Sequence, residues 1–208
     1  MEKLELRMYG LVPYNISPIQ QAIQFGHAVV EYGQMIKNKG PVGSGIYSWY
    51  TRDNEGVYND WANNWKTFII LNGGTSNHSK NRYSNEEYVG SMEQNLKCLE
   101  ENGVNLATFY EPDLNDMLSA IVFIVDERVF NKKDYPDFED WVIEKYGDLL
   151  KPDPNNYKTF GKRSYELARM IKDSESPGDK KVYQEWIKLV GGEKNVFLRD
   201  FLKNFRLA

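Results

Sequence analysis

Residues 17–31 read SPIQQAIQFGHAVVE, a pattern that predicts a capped helix directly after a strand. Ser17 is a favourable N-cap, Pro18 suits the first helical position, and Gln20 completes a capping box. The helical pattern continues to about Lys37 and ends before a Gly-Pro pair. We therefore expect a helix of about five turns at this point of the chain.

This helix has a polar side and an apolar side when residues are placed at about 100° intervals. The polar side consists of Ser17, Gln20, Gln24, His27, Glu31 and Gln34. The predicted core side consists of Ile19, Ala22, Ile23, Gly26, Val29, Val30 and Gly33. No Lys or Arg lies between Pro18 and Ile36. The polar side is thus either a surface that faces a ligand or a solvated surface without lysine.

Strand patterns alternate with helices through the first 130 residues. Strands are predicted at 4–12, 66–72, 104–110 and 119–125, a second helix at 85–102, and an irregular aromatic segment at 43–65. The strand at 119–125 is continuously apolar, which predicts a central position with both faces covered. The order β-α-β-α-β-β predicts an α/β fold with a mixed four-stranded sheet and flanking helices. Its two β-α-β units predict parallel neighbouring strands.

Strand signals stop near residue 130. Helices are expected at about 138–150, 162–172, 180–190 and 195–205. The sequence therefore predicts an α/β domain at 1–130 and an α-helical C-terminal extension at 131–208. An apolar stripe in the last helix is interpreted as packing rather than as a dimer seam, and a homodimer stays open as a partner.

The composition excludes several classes of protein. The single Cys98 cannot form an intramolecular disulfide, which favours a reducing compartment. No apolar run approaches the ~20 residues that cross a bilayer, and no signal peptide is recognisable, so we expect a cytoplasmic protein without a membrane partner. Residues 1–130 carry 10 Lys and Arg against 16 Asp and Glu, so this part attracts nucleic acid poorly.

Three loops should lie at the carboxyl ends of the strands, where open α/β sheets bind ligands. They are 13–17, 72–77 and 111–118. The pair Gly73-Gly74 would let the backbone approach a ligand closely, or it is a plain turn.

The third loop contains Glu111, Asp113 and Asp116 beside Asn115. These carboxylates could supply a general base, or they stabilise a turn around Pro112. No metal or other cofactor is expected, because zinc sites require Cys and His and the chain has one Cys and two His far apart.

Several segments together resemble the type 2 peptidyl-tRNA hydrolase family. They are Gln24-Phe25-Gly26-His27-Ala28 in the first helix, Lys66-Thr67-Phe68-Ile69-Ile70-Leu71, and Gly103-Val104 before the acidic loop. The segments 72–75, 109–116 and 126–130 are similar to a divergent branch carried by tailed bacteriophages. The resemblance covers residues 1 to about 130.

The resemblance implies metal-independent hydrolysis of the ester between a peptide and tRNA, or of a related nucleotide-linked ester, in the cytoplasm of a host cell if the protein is viral. Gln24 and His27 would position substrate or water, and Glu111 or Asp113 would act as base. The expected substrate-binding residues are Ser17, Gln20, Asn72, Gly73, Gly74, Thr75 and Asn115.

Two lysines of the family have no clear counterpart here. Gln20 stands where the family places a lysine one turn before the signature Gln, and the strand at 66–71 offers only Lys66. A second function is therefore open: a non-catalytic phage protein that holds a nucleotide-like signalling ligand or a tRNA end in the same cleft, against host defence.

Overall fold

The apolar segment near residue 120 forms the interior of a four-stranded sheet. In the computed structural model, which describes residues 3–37, 52–76, 78–80, 87–146, 165–166 and 168–208, this segment is strand β6 (Met117–Asp126). β6 lies between β1 (Leu6–Pro13) and β5 (Leu106–Glu111) and is antiparallel to both. β2 (Thr67–Gly74) is parallel to β1 and completes the order β2-β1-β6-β5. The predicted mixed sheet and the central position of β6 are confirmed.

The two β-α-β units differ in their outcome. The first unit gives parallel neighbours, since β1 pairs with β2 from Arg7 opposite Thr67 onward. The second unit does not, because β2 and β5 lie at opposite edges of the sheet with β1 and β6 between them. The prediction of parallel neighbours was wrong for this second unit: β6 forms a hairpin with β5 and hydrogen-bonds to β1 with its other edge.

The first helix, α1 (Pro18–Lys37), buries a different face from the predicted one. Its buried residues are Gln24, Phe25, Ala28, Tyr32, Gly33 and Ile36. Five residues of the predicted core side are exposed instead: Ile19, Ala22, Ile23, Gly26 and Val30. The aromatic side chains set the orientation, because Phe25 packs over Gly10 of β1, where a Cβ atom would lie 2.3 Å from the ring. The predicted core side was therefore wrong.

The second helix, α3 (Ser91–Glu101), covers the other face of the sheet. Met92 and Leu99 are fully buried. Met92 and Leu11 both lie next to Gly73, and Leu11 alternates along β1 with the residues that face α1. The helix begins later than predicted, because a short hairpin of β3 (His78–Lys80) and β4 (Glu87–Val89) precedes it. Gly90, in extended conformation with φ −68° and ψ 169°, separates β4 from the helix.

The aromatic segment before β2 is helical where it is described. Helix α2 (Arg52–Asp60) continues into a five-residue π-helix at Trp61–Trp65. Trp61 is buried against Phe68, with ring centroids 5.3 Å apart. Residues 43–51 of the predicted irregular segment lie outside the described residues.

The chain divides into two compact units. The first consists of Met1–Glu127 and Asp200–Ala208, and the second of Arg128–Arg199. The predicted division into 1–130 and 131–208 assigned the last residues to the extension, whereas Asp200–Ala208 belongs to the first unit. The Asn72 N–H donates to the Arg206 carbonyl at 2.9 Å, and the Ala208 N–H donates to the Ile70 carbonyl at 3.0 Å. The final residues thus pair antiparallel with the outer edge of β2.

In the described residues of the second unit, the regular elements are helices joined by turns. They are α4 (Glu127–Phe130), whose first residue belongs to the first unit, α5 (Phe138–Tyr146), helical residues 168–173, α6 (Pro177–Leu189) and the greater part of α7 (Glu193–Leu202). The core consists of Phe138, Val142, Ala168, Trp186, Ile187 and Val190. Residues 147–150, 162–164 and 167 of the predicted helices lie outside the described residues. In the described part of the chain, no helix has both the length and the apolar composition to cross a membrane.

Candidate functional site

The predicted loops lie at the same end of the sheet, in two regions on different strands. The N–H of Tyr14 donates to the Gly74 carbonyl at 2.9 Å, so the loops after β1 and β2 are adjacent. Glu111 ends β5 on the opposite edge strand. Three strand spacings separate β2 from β5, roughly 14 Å in all. Gly73 and Gly74 therefore lie in one region of this end of the sheet and Glu111 lies in another.

At one region, Glu111 is held by a buried amide of α1. The Nε2 of Gln24 donates to Oε2 of Glu111 at 2.5 Å. The Ser119 hydroxyl lies 3.0 Å from Oε1 of Gln24 and 3.1 Å from the Phe109 carbonyl, and its single proton is shared between them. Gln24 is 5% exposed and Ser119 is fully buried. These hydrogen bonds fix the orientation of the Gln24 amide, with its nitrogen toward the Glu111 carboxylate.

A β-bulge places Ser119 within hydrogen-bonding distance of Gln24. Phe109 pairs with Ala120, but Tyr110 pairs with Leu118, so Ser119 is an extra residue on β6. A bulge turns the extra side chain toward the same face as its neighbour, which here is the face that α1 covers. The sequence analysis did not single out Ser119. The feature of the sequence that could have identified it is a single hydroxyl residue within an otherwise apolar strand.

The acidic loop is a tight turn that uses its own polar groups. Oε1 of Glu111 accepts a hydrogen bond from the Asp113 N–H at 3.3 Å and caps the 3-10 helix Pro112–Leu114. Asn115 and Asp116 follow with φ of 56° and 54°, a conformation that Asn and Asp tolerate better than other residues. The side chains of Asp113 and Asn115 are exposed. Of the two candidate bases, Glu111 is the one that the protein holds in place.

His27 lies on the surface next to the hydrogen bonds of Gln24. Its ring stacks on Phe109, with centroids 4.5 Å apart and an angle of 20° between the planes. The residue is exposed and lies one helical turn after Gln24. The imidazole is therefore accessible to a ligand that rests on the protein beside Glu111.

Ser17 and Gln20 form the predicted capping box. The Gln20 N–H donates to the Ser17 hydroxyl at 3.3 Å, and Oε1 of Gln20 accepts from the Ser17 N–H at 3.1 Å and from its hydroxyl at 3.0 Å. This prediction is confirmed. The same bonds occupy the groups that the sequence analysis assigned to substrate binding, except for the Gln20 amide nitrogen.

The glycine pair at the other region is explained by the packing of α3. Gly74 has φ +93°, and a Cβ atom there would lie 2.2 Å from the Ser91 hydroxyl. A Cβ atom on Gly73 would lie 2.3 Å from the Met92 sulfur. Both glycines let α3 approach β2 closely, which accounts for them without a ligand.

The polar groups around this glycine pair form hydrogen bonds to other groups of the protein. Oδ1 of Asn72 accepts from the Gly74 N–H at 2.9 Å, and Nδ2 of Asn95 donates to the Gly73 carbonyl at 3.0 Å. The Thr75 N–H donates to the Ser91 hydroxyl at 3.1 Å. The loop at 72–75 therefore anchors the start of α3.

The loop at 111–118 has a negative formal charge, because it carries Glu111, Asp113 and Asp116 and no Lys or Arg. The hydrogen bonds given above for the Glu111 carboxylate come from neutral groups, the Gln24 amide and the Asp113 N–H. On the opposite face of β5, burial raises the pKa of Tyr110, and the carboxylates of Glu100 and Glu93 raise it further. No group of three His, Cys, Asp or Glu residues suited to a metal ion occurs in the ranges that the structure describes.

No protein-family model, no curated protein and no solved structure matches this chain. The resemblance to peptidyl-tRNA hydrolases stays a prediction from the sequence, and the functional argument depends on the geometry around Glu111.

Proposed function

We propose that the first unit hydrolyses the ester of peptidyl-tRNA, or a related nucleotide-linked ester, with Glu111 as the general base. One observation supports this: a carboxylate at the strand edge is held by a buried amide whose orientation Ser119 fixes. Each carboxylate oxygen of Glu111 accepts one bond from the protein and keeps a second lone pair for water. A water molecule bound there would have a defined position.

The reaction would follow general-base chemistry. Glu111 takes a proton from the bound water while the water oxygen attacks the ester carbonyl. The protonated Glu111 then returns that proton to the departing ribose oxygen as the carbon–oxygen bond breaks. The imidazole of His27 and the exposed amide of Asn115 would supply N–H donors for the negative oxygen of the intermediate.

The missing lysine sets an expectation for the rate. Gln20 replaces a full positive charge by a neutral amide, and loss of one strong oxyanion donor typically lowers the rate ~10²–10³-fold. We therefore expect turnover that is slow and needs a high enzyme concentration for detection.

The test is release of a labelled acyl group from N-acetyl-aminoacyl-tRNA. Glu111→Gln should lower kcat at least ~10²-fold, because the amide cannot accept the proton. Asp113→Asn is the matched control: an exposed carboxylate two residues away, for which we expect a change within a few-fold. Equal losses in both variants, or no release at stoichiometric wild-type enzyme, would exclude this function.

The second candidate function is that of a binding protein. The hydrogen bonding of the Glu111 carboxylate favours it. Both carboxylate oxygens already accept hydrogen bonds from the protein, which is also how a purely structural carboxylate is held. Nucleotides, dinucleotides and uncharged tRNA should then raise Tm, since a ligand at about 100 times its Kd adds ~2.7 kcal/mol of stability. His27→Ala should abolish the shift, whereas Glu31→Ala on the same helix should keep it.

A further inference from the structure

The second unit contains a cavity of its own. Its volume is about 380 Å³, and sites for small molecules usually measure roughly 300–1,000 Å³. The cavity lies beside α5 and the end of α6 and is lined by Asp134, Pro136, Trp141, Glu144, Lys145 and Leu189. All of these residues belong to the second unit, so the cavity is separate from the Glu111 region.

Three of the lining residues are apolar. They are Trp141, Pro136 and Leu189, and the Leu189 side chain is 38% exposed. Nζ of Lys145 lies 4.6 Å from the centroid of the Trp141 ring, so this ring already attracts a positive charge. An indole with apolar neighbours suits a ligand that combines an apolar body with a positive group.

The charged lining residues leave two carboxylates without a cation. Nζ of Lys145 donates to Glu185 at 2.7 Å, and this hydrogen bond raises the pKa of Lys145. Asp134 accepts a hydrogen bond from the neutral Asn131 amide at 2.8 Å. Among the residues that the structure describes, no lysine or arginine forms an ion pair with Asp134 or Glu144. The positive charge of Lys145 is thus matched by Glu185, and the cavity keeps two negative charges.

We propose that this cavity binds a small organic amine. The ammonium group would lie at Asp134 and Glu144, which accept charge-assisted hydrogen bonds from it, and the apolar body would lie against Trp141. A ligand with a carboxylate or phosphate would meet two like charges, because the ammonium of Lys145 is already bound to Glu185. This inference does not rest on the function proposed for the first unit.

Binding of three related probes to the full chain tests the proposal. The probes are 2-phenylethylamine, the neutral 2-phenylethanol and the anion phenylacetate, measured at low ionic strength by calorimetry. The amine should shift the indole N–H resonance of Trp141, which Trp141→Phe assigns. The alcohol and the anion should bind at least ~5-fold more weakly, the effect of losing one partly exposed ion pair. No shift of this resonance, or equal affinity for the three probes, would overturn the proposal.

Charge-neutral variants test which groups hold the amine. Glu144→Gln should raise the Kd of 2-phenylethylamine about 5-fold. Addition of Asp134→Asn should lower the affinity further, to that of 2-phenylethanol. Both side chains are exposed, so we expect both variants to fold, which an unchanged Tm would verify.

Glu166→Gln is the matched control. Glu166 is an exposed, helical glutamate of the second unit that does not line the cavity. Its loss changes the net charge of the chain by the same amount as Glu144→Gln, and the Kd of the amine should stay within twofold of the wild-type value, roughly the scatter of surface substitutions. Equal Kd values for wild type and Glu144→Gln, or equal weakening by Glu144→Gln and Glu166→Gln, would exclude binding through the cavity.

Discussion

The amide of Gln24 is a polar group in a hydrophobic core, and its cost is offset by bonds at both ends. Ser119 lies at its oxygen and Glu111 at its nitrogen. Burial without such partners would cost about 1–3 kcal/mol. The hydrogen bonds of Gln24 therefore stabilise the fold, and they also orient the Glu111 side chain.

A double-mutant cycle measures this coupling. Ser119→Ala should lower the free energy of unfolding by about 1–2 kcal/mol, since Oε1 of the buried Gln24 loses a donor. With Gln24→Ala added, the combined loss should be smaller than the sum of the two single losses, because no unpaired amide remains. Urea unfolding at neutral pH gives the three values. Strict additivity would show that the hydroxyl does not support the amide.

Among the elements, the final residues have a clear structural role. Arg206–Ala208 form the outermost pairing on β2 through two backbone hydrogen bonds and a bridge between Leu71 and Leu207. The bonds are made by the backbone, and the Leu207 side chain is 74% exposed. An edge strand without such a cover would leave its N–H groups open to other chains.

Removal of residues 206–208 should expose this edge. Two net hydrogen bonds of about 0.5–1.5 kcal/mol each would be lost, so Tm should fall and the Asn72 amide should exchange its hydrogen faster. Leu207→Ala is the control, because it keeps the backbone bonds and should change Tm little. Unchanged exchange of the Asn72 amide in the shortened chain would show that the pairing does not persist in solution.

For the molecule as a whole, we expect acid to destabilise the second unit through the ion pairs of Asp137, a partly exposed carboxylate. Arg199 is 2% exposed and donates to Asp137 at 2.7 Å. Burial alone would raise the pKa of Asp137, but hydrogen bonds and charges from Lys132 and Arg199 outweigh it and lower the pKa to about 2. The folded state thus favours the ionised carboxylate more strongly than the unfolded chain does.

The sign of the pH dependence follows from this shift. The pKa of Asp137 is below its unfolded value of 3.8, so the stabilisation is complete above about pH 4 and is lost as the pH falls through 2. Because the carboxylate is partly exposed, we expect a loss on the order of 1 kcal/mol. Urea midpoints between pH 5 and 2 should fall less in Asp137→Asn than in the wild type. Parallel curves for the two proteins would rule out this residue as the origin.

Short stretches of sequence were sufficient to predict part of this structure. The capping box of Ser17 and Gln20 depends on residues three positions apart, and the central place of β6 follows from its apolar run Ala120–Val125. Such features need no knowledge of distant contacts. The α/β class and the mixed sheet followed from the order of these elements.

Contacts between distant residues set the remaining features. The fit of Phe25 over Gly10 turned α1 so that Gln24 faces the sheet and Ile19 and Ile23 face solvent. The insertion of β6 between β1 and β5 separated Glu111 from the glycine pair, and a bulge aimed Ser119 at α1. A periodic sequence indicates that a helix has two faces. Which face is buried depends on how the side chains of the helix fit the surface of the sheet.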